Sequence, residues 1–185
     1  MNDLLRYRRE RLPMPLVLSV AALLTIAATV VSGRWPVADV LWNVVLAGFL
    51  VIQFRLWDDL NDINNDRISH PDRVLCRLAA HSHFQIVAMI LFVLNSIALS
   101  LTKSLHTVTV FAVLNGTFLL WYRALRDWFG TFLHVHFVLT KYPVFAFLIS
   151  GEPLSGRKAS VVLMLTVVYG GACIYEFVHN RQPAK

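Results

Sequence analysis

The stretch DDLNDINNDRISHPDR, residues 58 to 73, holds Asp58, Asp59, Asp62, Asp66 and Asp72, five of the chain's eleven acidic residues. Asp59, Asp62 and Asp66 follow one another at helical spacing, and Asp58 and Asp62 are one helical turn apart. On a helix that spacing places carboxylates on one face, where like charges repel. A divalent cation would turn the repulsion into attraction. Hard oxygen ligands suit Mg²⁺ or Ca²⁺, and Mg²⁺ commonly bridges a carboxylate or two to a substrate phosphate. The other reading of the same residues is a solvated acidic loop neutralised by Arg67, Arg73 and Arg77. An EF-hand loop does not fit, because the turn glycine and the closing Glu are missing.

The elements that must hold these residues are apolar. The chain has 185 residues, 57% of them hydrophobic and 15% charged, with a mean hydropathy of +0.59. A soluble domain carries roughly a quarter charged residues. Uncharged runs long enough to span a bilayer recur along the chain. The pattern predicts an all-α, multi-pass bundle of six spans, at about 14–32, 37–55, 83–101, 105–122, 131–150 and 159–177, in one membrane domain covering 1–185. The acidic residues then fall in a connector, 56–82. A cleaved signal peptide is a poor reading of the first span, whose apolar core is too long and whose TVVSG is a weak cleavage site.

Lys and Arg set the orientation. With the N-terminus in the cytoplasm, Arg6, Arg8, Arg9, Arg11, Arg55, Arg67, Arg73, Arg77, Arg123, Arg126, Arg181 and Lys185 fall inside; Arg34, Lys103, Arg157 and Lys158 fall outside. Lys141 is left within the membrane. Both termini and the acidic connector are therefore expected in the cytoplasm, with a bacterial inner membrane as the location. The net charge of +6 is a topology signal split among loops. No nucleic-acid partner is expected, since there is no continuous basic stripe. Cys76 and Cys173 have no ligand spacing and need no disulfide. His81 with His83, and His134 with His136, stand two apart and so do not share a helix face. The tryptophans fall mostly near predicted membrane edges, as an interfacial belt does.

DDLNDINNDRISHPDR resembles the first aspartate-rich motif of the UbiA superfamily of intramembrane prenyltransferases. In that motif, N-D-x-x-D-x-x-x-D is followed by a Pro-x-Arg element. Asp58 stands in the Asn position; Asp59, Asp62 and Asp66 take the three Asp positions; Pro71 and Arg73 complete the pattern without a gap. Its place after the second span matches too. A weaker similarity is YRALR, where Tyr122 and Arg126 stand for a Tyr-x-x-x-Lys whose cation contacts diphosphate. Arg keeps the charge and offers a bidentate fork. The family continues into further helices and a second acidic motif. This chain stops at YEFVHNRQPAK, so it reads as a short, C-terminally truncated or divergent member. Glu176 and Asn180, one turn apart, are candidates for a reduced second ligand set, or the ordinary polar end of a last helix.

The resemblance implies Mg²⁺-dependent transfer of a prenyl group from a prenyl diphosphate to a small, aromatic acceptor in the membrane. It makes Asp58, Asp59, Asp62 and Asp66 metal ligands, with the last three central to catalysis. Arg73, Tyr122, Arg126 and Lys141 become diphosphate contacts. Lys141, His134, Asn43 and Asn115 are expected to form a polar wall beneath the site, or else a set of interhelical hydrogen bonds. The missing acidic half points to a homodimer or a second membrane chain. The alternatives are a non-catalytic UbiA-like subunit or prenyl-diphosphate binder, and a CDP-alcohol phosphotransferase. The last lacks its D-G-x-x-A-R signature after Asp62.

Overall fold

A computed structural model describes residues 2–33, 36–151 and 158–180. Among them there is no strand. Six helices are long and apolar enough to cross a membrane, so the chain is a multi-pass helical bundle.

A polar helix, α1 (Asn2–Arg11), precedes the first span. Pro13 sets the extended entry to α2 (Met14–Ser32), and Gly33 ends it at φ 65°. Only glycine adopts that left-handed conformation without strain. Pro36 caps α3 (Val37–Asn61). This helix runs six residues past the predicted end at 55, so Asp58 and Asp59 belong to a span and not to the 56–82 connector. The backbone breaks at Asp62 (φ −92°, ψ −1°) and restarts as α4 (Ile63–Ser69). A single turn, α5 (Val74–Arg77), follows.

The third span, α6 (Ser82–Thr102), and the fourth, α7 (Leu105–Leu120), fall close to their predicted bounds. At its end α7 widens into a π-turn, Trp121–Leu125, and then a 3-10 turn, Arg126–Trp128. The fifth span divides into α8 (Thr131–Leu139) and α9 (Lys141–Ser150). Pro143 supplies the cause: it has no N–H for the Leu139 carbonyl, and its ring crowds the preceding turn. The last span is α10 (Lys158–Asn180).

α9 is the hub, packed on α2, α3, α7 and α10. Phe145, Ala146, Leu148 and Ile149 are fully buried there. Phe54 of α3 meets the rings of Phe118 and Phe145 edge-on, at 5.3 and 5.0 Å between centroids. A smaller cluster, with Tyr7, Leu56, Leu75 and Phe84, lies beneath α1. α10 is the least enclosed span, with 11% of its apolar window buried.

Two polar features inside the bundle are interhelical hydrogen bonds, the alternative to a polar wall, with partners that the sequence did not indicate. Asn95 of α6 donates to Gln53 of α3 at 2.7 Å, and Gln53 donates to Asn115 of α7 at 2.9 Å. All three side chains are buried. Asn115 thus bonds within this triad, away from Lys141. Asn43 lies at the other end of the bundle, where Lys103 donates to its side chain at 3.1 Å and to the Ile149 carbonyl at 2.7 Å. Burial pushes the Lys103 pKa down. Lys103 thereby serves a carbonyl that helix α9 leaves without an internal donor.

Gln53→Leu removes the centre of the amide triad and leaves Asn95 and Asn115 short of partners. The expected loss is about 1 kcal/mol, the usual size of interhelical side-chain bonds in membrane proteins. Unfolding of the wild type and variant in mixed micelles measures it.

Candidate functional site

The acidic residues gather where α3, α7, α9 and α1 meet. Neighbours on a helix point about 100° apart, so Asp58 and Asp59 look to different sides of α3. Asp58 turns into the bundle. It pairs with Lys141 of α9 and accepts a hydrogen bond from the Tyr122 hydroxyl at 2.6 Å. Both charges are buried. Lys141 is the first residue of α9, so the break between α8 and α9 delivers it to the acidic end. The π-turn does the same for Tyr122. Such turns are frequent at functional sites.

Asp59 turns outward beneath α1. Arg11 reaches it with two bonds, at 2.5 and 3.1 Å, and the Tyr7 hydroxyl donates at 2.8 Å. Arg55, one turn back, stands 3.6 Å away. Burial and the neighbouring Asp59 charge hold the Tyr7 hydroxyl far above its ordinary pKa, so it stays a donor. α1 is tied down a second time where Glu10 accepts from the Val74 backbone N–H at 3.1 Å. Each adjacent aspartate therefore has one tyrosine and one strong cation: Asp59 takes both from α1, and Asp58 takes them from the π-turn and α9.

Asp62, at the break, pairs with Arg126. Burial raises its carboxyl pKa, and the Arg126 charge opposes that rise. Arg126 also donates to the Asn61 carbonyl at 3.2 Å and lies 5.7 Å from the Tyr122 ring centre. Asp66 pairs with Arg73 across the α4–α5 turn, and Asp72 with Arg77 at 2.6 Å. His134 stands at the edge of this group. Its Nδ1 accepts from the Trp121 indole N–H at 3.0 Å, which leaves the proton of a neutral ring on Nε2.

The structure thus brings Asp58, Asp59, Asp62, Tyr122, Arg126 and Lys141 to one end of the bundle, with the Asp66–Arg73 pair on the turn beyond. Glu176 is half-buried in the last turns of α10, while the side chain of Asn180 lies outside the described residues. Sequence reasoning missed Tyr7 and Arg11, because α1 reads as a basic topology signal. The cue was available: Tyr7 is an aromatic flanked on both sides by arginines.

The fit to Mg²⁺ can be tested on the side chains. Asp59, Asp62 and Asp66 diverge toward Arg11, Arg126 and Arg73 respectively. Among the described residues no three His, Cys, Asp or Glu side chains converge. Cations from the chain occupy the carboxylates instead.

Beside the acidic group lies an apolar groove of about 260 Å³, between the fifth and sixth spans. Trp121, Phe137 and Phe129 line it as a stack, with Trp121 centred 4.0 Å from Phe137 and 5.4 Å from Phe129. His136 and Tyr169 meet there as a polar pair, at 2.8 Å. Trp121 and Tyr122 are successive residues of the π-turn, so one turn faces both the groove and the acids. No family model, no curated protein and no solved structure matches the chain.

The Asp59 pairing predicts that α1 is held by this contact. Arg11→Met with Tyr7→Phe should free it. Backbone amides of residues 3–11 should then exchange at least tenfold faster, while α3 and α9 keep their protection. Hydrogen exchange with peptide resolution reads both.

Proposed function

We propose that the chain is a UbiA-like membrane protein that engages a prenyl diphosphate at its acidic end. In the transferase reading it passes the prenyl group to a small, aromatic acceptor. The observation that carries the proposal is the pairing of two environments across one π-turn. On one side are Arg126, Lys141 and Tyr122, among the motif aspartates. On the other is an apolar, aromatic groove. A ligand with an anionic head and an isoprenoid tail matches both. The end concerned is the cytoplasmic one if the positive-inside bias holds.

In that reading the allylic C–O bond breaks, the electron pair leaves with diphosphate, and the acceptor ring attacks the resulting carbocation and then loses a proton. Arg126 and Lys141 would meet the charge of the leaving group, with Arg126 suited to bidentate phosphate contact. The aromatic stack would keep water from the cation. Mg²⁺ is the co-ligand the resemblance implies. It would have to draw carboxylates away from their arginines.

One observation favours the second reading, a binder without catalysis. Every motif aspartate already has a cation from the chain. Such a protein needs neither Mg²⁺ nor a second acidic motif. A homodimer or a second membrane chain could supply that motif in the transferase reading.

Binding of farnesyl diphosphate to detergent-purified protein tests both readings. Wild type is expected to bind, and Arg126→Gln to weaken binding about tenfold, the effect of one charge-assisted contact. Binding equal in the two proteins, or none in wild type, overturns the proposal. If Mg²⁺ strengthens binding and Asp62→Asn abolishes that gain, the transferase reading stands, and prenylated acceptor is the product to look for. If neither matters, the binder reading stands.

A further inference from the structure

A second cavity, of about 280 Å³, lies outside the acidic group at the α3–α4 break. Its walls come from the last residues of α3, from the start of α4, and from His81 and Gln85 at the start of α6. Polar groups dominate: Asn61, Asn64, Arg67, His81 and Gln85, with Leu60 and Ile63 between them. None of these lining residues is acidic.

Arg67 makes this cavity unlike the acidic group. Arg11, Arg73, Arg77 and Arg126 each pair with an aspartate. Arg67 forms no ion pair or hydrogen bond among the described residues, although it directly follows Asp66. It projects from α4 toward the cavity with Asn64, one helix turn's spacing away. The other polar groups are partly engaged. Asn61 donates to the Trp57 carbonyl at 2.8 Å. His81 Nε2 donates to the Leu75 carbonyl at 2.8 Å. The amides of Asn64 and Gln85 remain as donors beside the guanidinium. One unpaired cation with amide donors and no carboxylate is a receptor for an anion.

Its place in the fold identifies the anion's source. Asn61 closes one span and Ser82 opens another, so the cavity lies between the ends of two spans, where headgroups are expected. Below Gln85, at successive turns of α6, stand Met89 and Val93, 65% and 45% exposed. Ile86 and Ile90 flank them and are also exposed. An acyl chain hanging from the cavity would lie along this face.

We propose that the Arg67 cavity binds the headgroup phosphate of an anionic phospholipid, whose acyl chains lie on the outer face of α6. The guanidinium receives the phosphate oxygens, and Asn64 and Gln85 add amide bonds. With no acid in its walls, the cavity has no counter-charge for an ammonium headgroup, so it selects phosphatidylglycerol over phosphatidylethanolamine. This site is independent of the prenyl-diphosphate reading.

The test is lipid binding to the delipidated full chain in neutral detergent, by native mass spectrometry and thermal shift. Phosphatidylglycerol, phosphatidylethanolamine and inorganic phosphate are the probes. Arg6→Gln, on exposed α1, is the charge-matched control for Arg67→Gln. The expected result is phosphatidylglycerol binding that Arg67→Gln weakens about tenfold and Arg6→Gln leaves unchanged, with phosphatidylethanolamine bound at least tenfold less well. Without lipid, the three proteins should melt alike, because Arg67 has no partner to lose. Equal weakening by both variants would show only a general charge effect and overturn the site. Inorganic phosphate reproducing the whole stabilisation would overturn the lipid assignment, and equal binding of the two lipids would overturn the selectivity.

Discussion

The architecture turns on two adjacent carboxylates that cannot be left alone. Asp58 and Asp59 are both buried near the end of α3. Removing an ion from water costs several kcal/mol even after relaxation, and only well-placed opposite charges and hydrogen bonds offset that. Helix geometry sends the two acids to different sides, so they cannot share one cation. Lys141 and Tyr122 answer the first; Arg11 and Tyr7 answer the second. These four partners belong to α9, the π-turn after α7, and α1. Two carboxylates thus draw three other elements to one end of α3. The breaks at Trp121–Leu125 and at Thr140 make sense in this light, since they sit where partner side chains must arrive. Well-packed apolar residues could hold the bundle as firmly.

Much of this was legible in the sequence, for particular reasons. Long uncharged runs fixed the six spans because a bilayer leaves few alternatives for the backbone. Asp58, Asp59, Asp62 and Asp66 stood out because negative charge is scarce elsewhere in the chain. Lys141 stood out because a charge inside a span needs a partner. Its partner could not be read, because Asp58 lies 83 residues away and the pairing depends on how α9 docks.

Other features left weaker marks. The end of α3 was placed too early because an acidic segment reads as a loop, although WDDLN has no helix breaker. The break at Asp62 carries no glycine or proline. The break near Thr140 could have been read from Pro143. The Gln53–Asn95–Asn115 triad was missed in part. Each residue is an amide within an apolar span, which is itself a signal, but which amides meet depends on helix rotation. Asn43 shows the same limit: it was grouped with Lys141 by type, and depth in the bundle places it with Lys103 instead.

The buried Asp58–Lys141 contact is expected to be a true energetic coupling. A double-mutant cycle with Asp58→Leu and Lys141→Met, followed by unfolding in mixed micelles, measures it directly. Each single variant should lose about 3–5 kcal/mol by stranding a buried charge, and the double variant should recover most of that loss. A coupling near zero, with the two losses simply adding, would contradict the account.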